Sequence, residues 1–195
     1  MIKLLFFDTE TTGLDSETCG IHQMSGSVVI DGEIVEKFDF KFRPFDDCVF
    51  QEDALKLKDL SEEELMSREL SDSDVYNQFV NMLDKYVKKF DKKDKFYIVG
   101  YNIGFDINFL KKMFIRNKNE FLFSYFWGNP IDVMSLAGQK LMYFRSGMEN
   151  FKQGTVAKQL GIPLEENLLH DSLYDVEVLM KIYSLVTNYK INFGK

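Results

Sequence analysis

Near the start of the chain an apolar run meets two acids without an intervening turn: Lys3-Leu4-Leu5-Phe6-Phe7-Asp8-Thr9-Glu10-Thr11-Thr12-Gly13-Leu14. Residues 3–7 read as a buried strand, short and continuously apolar. Alternate residues of an extended chain point to the same side. Asp8 and Glu10 therefore face one spot, where like charges repel. A divalent cation relieves such repulsion, because hard cations favour carboxylate oxygens. The same residues also fit a plain strand end followed by a Thr-Thr-Gly turn with solvated acids. On this segment alone both readings stay open.

A length of 195 residues is most simply one domain. Hydrophobic residues make up 45% of the chain, enough for a substantial core. The net charge of -7 argues against a general nucleic-acid coat protein, which would be basic. It does not argue against nucleic acid at a metal-filled cleft, where cations meet the phosphate. Two basic clusters, Lys85 to Lys95 and Lys111 to Lys118, fit either a phosphate track or solvated helix and loop faces. Cys19 and Cys48 are the only cysteines, with neither zinc spacing nor a disulfide framework. No run is long enough to span a bilayer, and the first apolar stretch is too short for a signal peptide. The expectation is a soluble, cytoplasmic protein in a reducing compartment, without membrane contact.

Val28-Val29-Ile30, the Asp31-Gly32 pair and the alternating run to Phe42 read as a hairpin, closed by Pro44. Ser61 with Glu64 resembles a capping box for a short helix. Val75, Phe79, Met82, Tyr86 and Phe90 recur at helical spacing. Phe96 to Val99 reads as another strand, followed by a helix carrying Ile107, Leu110 and Phe114 on one face. Ile131-Asp132-Val133 reads as a short strand, with a helix behind it to about Tyr143 and a polar loop from Arg145 to Lys152. A short helix with Val156 and Leu160 ends at Gly161, and a last helix spans about Asp171 to Tyr189. Three opening strands followed by helices alternating with two more predict an α/β fold, a mixed five-stranded sheet flanked by helices.

Three further residues stand near predicted element ends. Asp106 opens the helix after the fourth strand, His170 precedes the last helix, and Asp175 lies in its first turns. Clefts of open sheets form at such positions. Each also has an ordinary reading: Asp106 as a partner of the helix dipole, Asp175 as the fourth residue of a Ser172–Asp175 capping box, His170 as a loop histidine. Their combination is what favours a site.

Taken together, these segments resemble the DEDDh family of 3′–5′ exonucleases, the proofreading-subunit-like group of the ribonuclease H-like superfamily. Phe7-Asp8-Thr9-Glu10-Thr11-Thr12-Gly13-Leu14 is similar to the family's first motif, Tyr101 to Leu110 to its second, and His170-Asp171-Ser172-Leu173-Tyr174-Asp175 to its third. Ser172 stands where the family often has alanine. Ile21-His22-Gln23-Met24 and Gly161-Ile162-Pro163-Leu164 add to the likeness, which covers nearly the whole chain. One departure is visible. Ala54 to Leu60 lacks the His-Gly or Asn-Gly step common in the family, which bears on loop contacts with substrate.

The resemblance implies a single 3′–5′ exonuclease domain over residues 1–195 with a ribonuclease H-like fold. It implies that Asp8, Glu10, Asp106 and Asp175 bind two divalent cations, Mg²⁺ or Mn²⁺, and that His170 is the general base. Thr11 would contact the terminal 3′-hydroxyl through its backbone, and Leu14 would wedge beside the last base or, equally, pack within its own apolar turn. Asn102 would either hold its loop or reach the substrate; Phe105 and Phe109 read as core. The implied substrate is a single-stranded nucleic-acid 3′ end, DNA first, cut to nucleoside 5′-monophosphates, with a proofreading partnership with a DNA polymerase as one use. RNA trimming and a non-catalytic binding module of the same fold are the alternatives. Monomer and homodimer both remain open.

Overall fold

The computed structural model describes residues 1–56, 60–165, 168 and 171–194. Five strands form one sheet: β1 (Lys3–Thr11), β2 (Ile21–Ile30), β3 (Glu33–Lys41), β4 (Tyr97–Gly100) and β5 (Ile131–Asp132). Their order is β3-β2-β1-β4-β5. β1 pairs antiparallel with β2 and parallel with β4; β5 is parallel to β4. The predicted mixed five-stranded sheet is the observed one.

Seven α-helices occur among the described residues: α1 (Glu52–Lys56), α2 (Glu62–Met66), α3 (Asp72–Tyr86), α4 (Gly104–Arg116), α5 (Val133–Lys140), α6 (Gln153–Gln159) and α7 (Ser172–Thr187). They cover both faces of the sheet, so β1 is apolar on both sides. Leu5 and Phe7 pack with the core of α3 and α4, including Phe79, Leu110 and Met113. Leu4 and Phe6 pack with that of α5, α6 and α7, including Val133, Val156 and Val176. The β2–β3 turn has positive φ at both Asp31 and Gly32, the backbone that Asp-Gly hairpins require. Gly26 answers a different need: a Cβ there would meet the Phe38 ring at 2.5 Å and the Phe6 carbonyl at 2.6 Å.

Several predicted boundaries move. β1 continues through both acids to Thr11 rather than ending at Phe7, because β2 keeps pairing with it as far as Ile21. α3 stops at Tyr86; Phe90 sits outside it with φ of 70°. The capping box is at Ser71 and Asp74, where both reciprocal bonds form. At Ser61 only one half is seen, the side chain accepting from the Glu64 N–H. α5 ends at Lys140, and a 3-10 turn at Arg145–Gly147 interrupts the predicted loop. α7 ends at Thr187, with Asn188 in the left-handed conformation that closes helices. Cys19 and Cys48 are free thiols.

Candidate active site

The alternation of β1 decides which way the acids face. Asp8 and Glu10 share the parity of Leu4 and Phe6, the side packed against α7. The start of α7 is tied to that strand. Asp171 is its N-cap, the carboxylate accepting from the N–H groups of Leu173 and Tyr174. The buried Ser172 hydroxyl donates to the Asp8 carbonyl at 3.1 Å, across 164 residues of sequence. The serine is fully buried there, its hydroxyl satisfied by that bond. Asp175 therefore does not close a capping box with Ser172, as its spacing had allowed. It sits one turn inside the helix, its N–H bonded to the Asp171 carbonyl at 2.9 Å. The Gln153 amide of α6 donates to the Asp175 carbonyl at 2.8 Å.

These ties bring three carboxylates together. Asp8, Glu10 and Asp175 each offer one oxygen, and the three oxygens lie within 4.8 Å of one another. Asp106 approaches from the opposite face on α4, 4% exposed. Its Oδ1 accepts from both the Thr9 N–H at 3.0 Å and the Thr9 hydroxyl at 2.8 Å. Asp106 is thus outside the three-oxygen group, anchored beside it by the residue between the two β1 acids. It keeps its place in the first turn of α4, where the helix dipole favours an acid, and is tied to β1 as well.

The electrostatics follow from this crowding. Burial pushes the Asp8 carboxyl well above the usual range, with Asp106, Glu10 and Asp175 adding to the rise. Asp106 is raised to about 7, chiefly by burial, against the lowering effect of the Thr9 bonds. Carboxyls held together in this way resist ionisation until a positive charge joins them. Hard oxygen donors at this separation suit a hard divalent cation rather than a soft metal.

A cavity of about 350 Å³ opens beside Asp8 and Asp175, lined also by Tyr101, Lys152, Gln153, Thr155 and Lys158. None of the α6 residues carries a local pattern that marks it in sequence; their place depends on how α6 packs on α7. Thr9 was equally hidden, since its role is a bond between residues 97 apart in sequence.

The remaining predicted residues divide. Thr11 ends β1 partly exposed, its hydroxyl donating to the Gly13 carbonyl at 2.7 Å. Leu14 does not pack into its turn: it is 79% exposed. Asn102 has a φ of 59°, and its loop is held through its backbone N–H, which donates to the Asp132 side-chain carboxylate (Oδ1) at 3.0 Å. Its side chain is exposed and makes no hydrogen bond among the described residues, so loop-holding by the amide is not what is seen. Phe109 is core, with Phe105 packed against it. His170 lies outside the described residues, as does part of the segment from Ala54 to Leu60.

A family model described as "Exonuclease" matches residues 5–183. Among curated proteins the chain is 26% identical over 176 residues to a PolC-type DNA polymerase III of Pediococcus pentosaceus, covering 90% of this chain. It is 30% identical over 186 residues to the PolC-type DNA polymerase III of Mycoplasmopsis pulmonis, covering 94% of this chain. The chain spans 11% of the length of each of these polymerases. Among solved structures, E. coli exonuclease I in complex with a dT13 oligonucleotide superposes with a TM-score of 0.75 at 21% identity. That match covers 97% of this chain and 42% of the other.

Proposed function

The chain belongs to the DnaQ-like 3′–5′ exonuclease family, and on that premise we propose that residues 1–195 act as one domain removing nucleotides from single-stranded DNA 3′ ends, with divalent cations as cofactor. The observation that carries the reading is the meeting of Asp8, Glu10 and Asp175 within 4.8 Å, with Asp106 anchored alongside. These four carboxylates would hold a pair of Mg²⁺ or Mn²⁺ ions. When bound, such a pair neutralises charge on the attacking and leaving oxygens of an in-line phosphoryl displacement.

The chain's own residues do the rest. Thr9 keeps Asp106 turned towards the β1 acids. Ser172 fixes the height of α7, and so of Asp175, against β1. His170 takes the proton from the attacking water, a task to which an imidazole is suited near neutral pH. The Thr11 backbone meets the terminal 3′-hydroxyl. Leu14, already exposed, wedges beside the last base, and Asn102 reaches the terminal nucleotide. The product is a nucleoside 5′-monophosphate.

DNA is favoured over RNA by the similarity to DNA polymerases and to an exonuclease solved with an oligothymidylate. The polymerase likeness also supports a proofreading role beside a polymerase. End-labelled DNA and RNA oligonucleotides of matched sequence, digested with metal omitted and then restored, test this reading. Faster release from DNA, dependent on metal, is expected; faster release from RNA overturns the DNA assignment.

A further inference from the structure

Outside the carboxylate cleft, an uncovered apolar strap joins α5 to α6. Three consecutive large side chains stand in solvent there: Met142 is 54% exposed, Tyr143 89% and Phe144 57%. Folding gains nothing from rings left in water, and contiguous exposed apolar surface usually marks a binding site. Beside the strap runs a groove of about 430 Å³, lined by Met134, Gly138, Met142, Arg145 and Phe151. The Arg145 guanidinium lies over the Phe151 ring, 5.1 Å from its centroid.

The groove and the carboxylate cavity are lined by consecutive residues. Phe151 forms one wall of the groove, while the next residue, Lys152, lines the cavity of Asp8 and Asp175. The Tyr101 hydroxyl donates to the Phe151 carbonyl at 2.6 Å, tying a residue that lines the cavity to one that lines the groove. From there α5, eight residues long, runs along the groove for about 12 Å. The charge also changes here. Residues 140–158 hold four basic side chains, Lys140, Arg145, Lys152 and Lys158, and one acid, Glu149, in a chain of net charge -7.

We propose that this strap and groove carry the single strand behind the terminal nucleotide, the bases stacking on Tyr143 and Phe144 while the basic side chains follow the phosphates. Rings alternating with cations suit a single strand, because every base has a face to stack and every step a phosphate to meet. The excess of basic side chains on this stretch matches a phosphate backbone better than a purely apolar protein partner, and a duplex would offer its bases no access to the rings. The assignment rests on the exonuclease reading and adds to it the route of the substrate.

The test separates the two. Fluorescence anisotropy with labelled oligothymidylates of about 4 to about 16 nucleotides, in EDTA to stop hydrolysis, measures binding alone. The unaltered chain should bind more tightly as length grows. The double variant Tyr143→Ala/Phe144→Ala should lose about tenfold or more on the long strands, flattening the length dependence. Tyr143→Phe, which keeps the ring, should retain binding. Phe121→Ala, which removes an exposed ring elsewhere, should not change it. Thermal unfolding of each variant guards against misfolding, and Tyr143→Leu supplies a second apolar variant without a ring. Undiminished binding by the double variant, or no length dependence in the unaltered chain, overturns the proposal. So does a strap that captures a protein partner but leaves DNA binding untouched. Failure of the exonuclease reading appears separately, as no mononucleotide released by the unaltered chain with Mg²⁺.

Discussion

Thr9 grips Asp106 twice, its N–H at 3.0 Å and its hydroxyl at 2.8 Å, both on the same carboxylate oxygen. The side chain between two acids of one strand thereby holds a third acid from the other face of the sheet. Thr9→Val keeps the shape and the N–H but removes the hydroxyl. Hydrogen bonds to charged groups contribute about 1.5–3 kcal/mol, so the variant should unfold at lower temperature. It should also need severalfold more Mg²⁺ for half-maximal activity. An unchanged Mg²⁺ requirement in a metal titration of the rate would remove Asp106 from the cation site.

The raised carboxyls make a prediction about pH. Asp106 folds with its carboxyl pushed up to about 7, above its value in an unfolded chain. The protonated form is the one favoured by the fold. Its contribution to stability is present in full below pH about 3.8, and is lost as pH rises through about 7. The Asp8 carboxyl, raised in the same direction, adds to the loss. Without divalent cation, thermal unfolding should therefore occur at lower temperature at pH 8 than at pH 5.5. Mg²⁺ should raise the melting temperature much more at pH 8, since protons compete with it at pH 5.5. Equal Mg²⁺ stabilisation at both would contradict the crowding of acids.

Leu14 is 79% exposed, so its truncation costs the fold little. Leu14→Ala should leave the melting temperature within about 2 °C. As a wedge beside the terminal base, its loss should raise KM for single strands severalfold. A drop in stability with no change in KM would return Leu14 to a packing role.

His170→Ala should slow hydrolysis by about a hundredfold or more, the usual size of a general-base effect. Metal binding, measured by calorimetry, should be retained, since the role assigned is base and not ligand. Lost metal binding would contradict that role.

Much of this site was legible because its members sit on short local patterns. The alternation of β1 put Asp8 and Glu10 on one side, and the helix starts located Asp106 and Asp175. What could not be read were bonds between distant residues. Ser172 to Asp8, Thr9 to Asp106 and Gln153 to Asp175 depend on how helices settle on the sheet. Local periodicity also overran at Phe90: its spacing continued the α3 stripe, but the chain turns at Val87, whose backbone is extended. The complete capping box is at Ser71 and Asp74, not at Ser61 and Glu64. Both carry a serine with an acid three residues on, and only the structure shows at which the reciprocal bond closes.

In the proposed function, Asp8, Glu10 and Asp175 jointly hold cations on which hydrolysis depends. The most direct measurement is a calorimetric Mn²⁺ titration of the unaltered chain and of Asp8→Asn, each followed by mononucleotide release from single-stranded DNA. Saturable binding and release by the unaltered chain, with both lost in the nearly isosteric variant, is the predicted result. An Asp8→Asn protein that binds Mn²⁺ and releases nucleotides like its parent would contradict it.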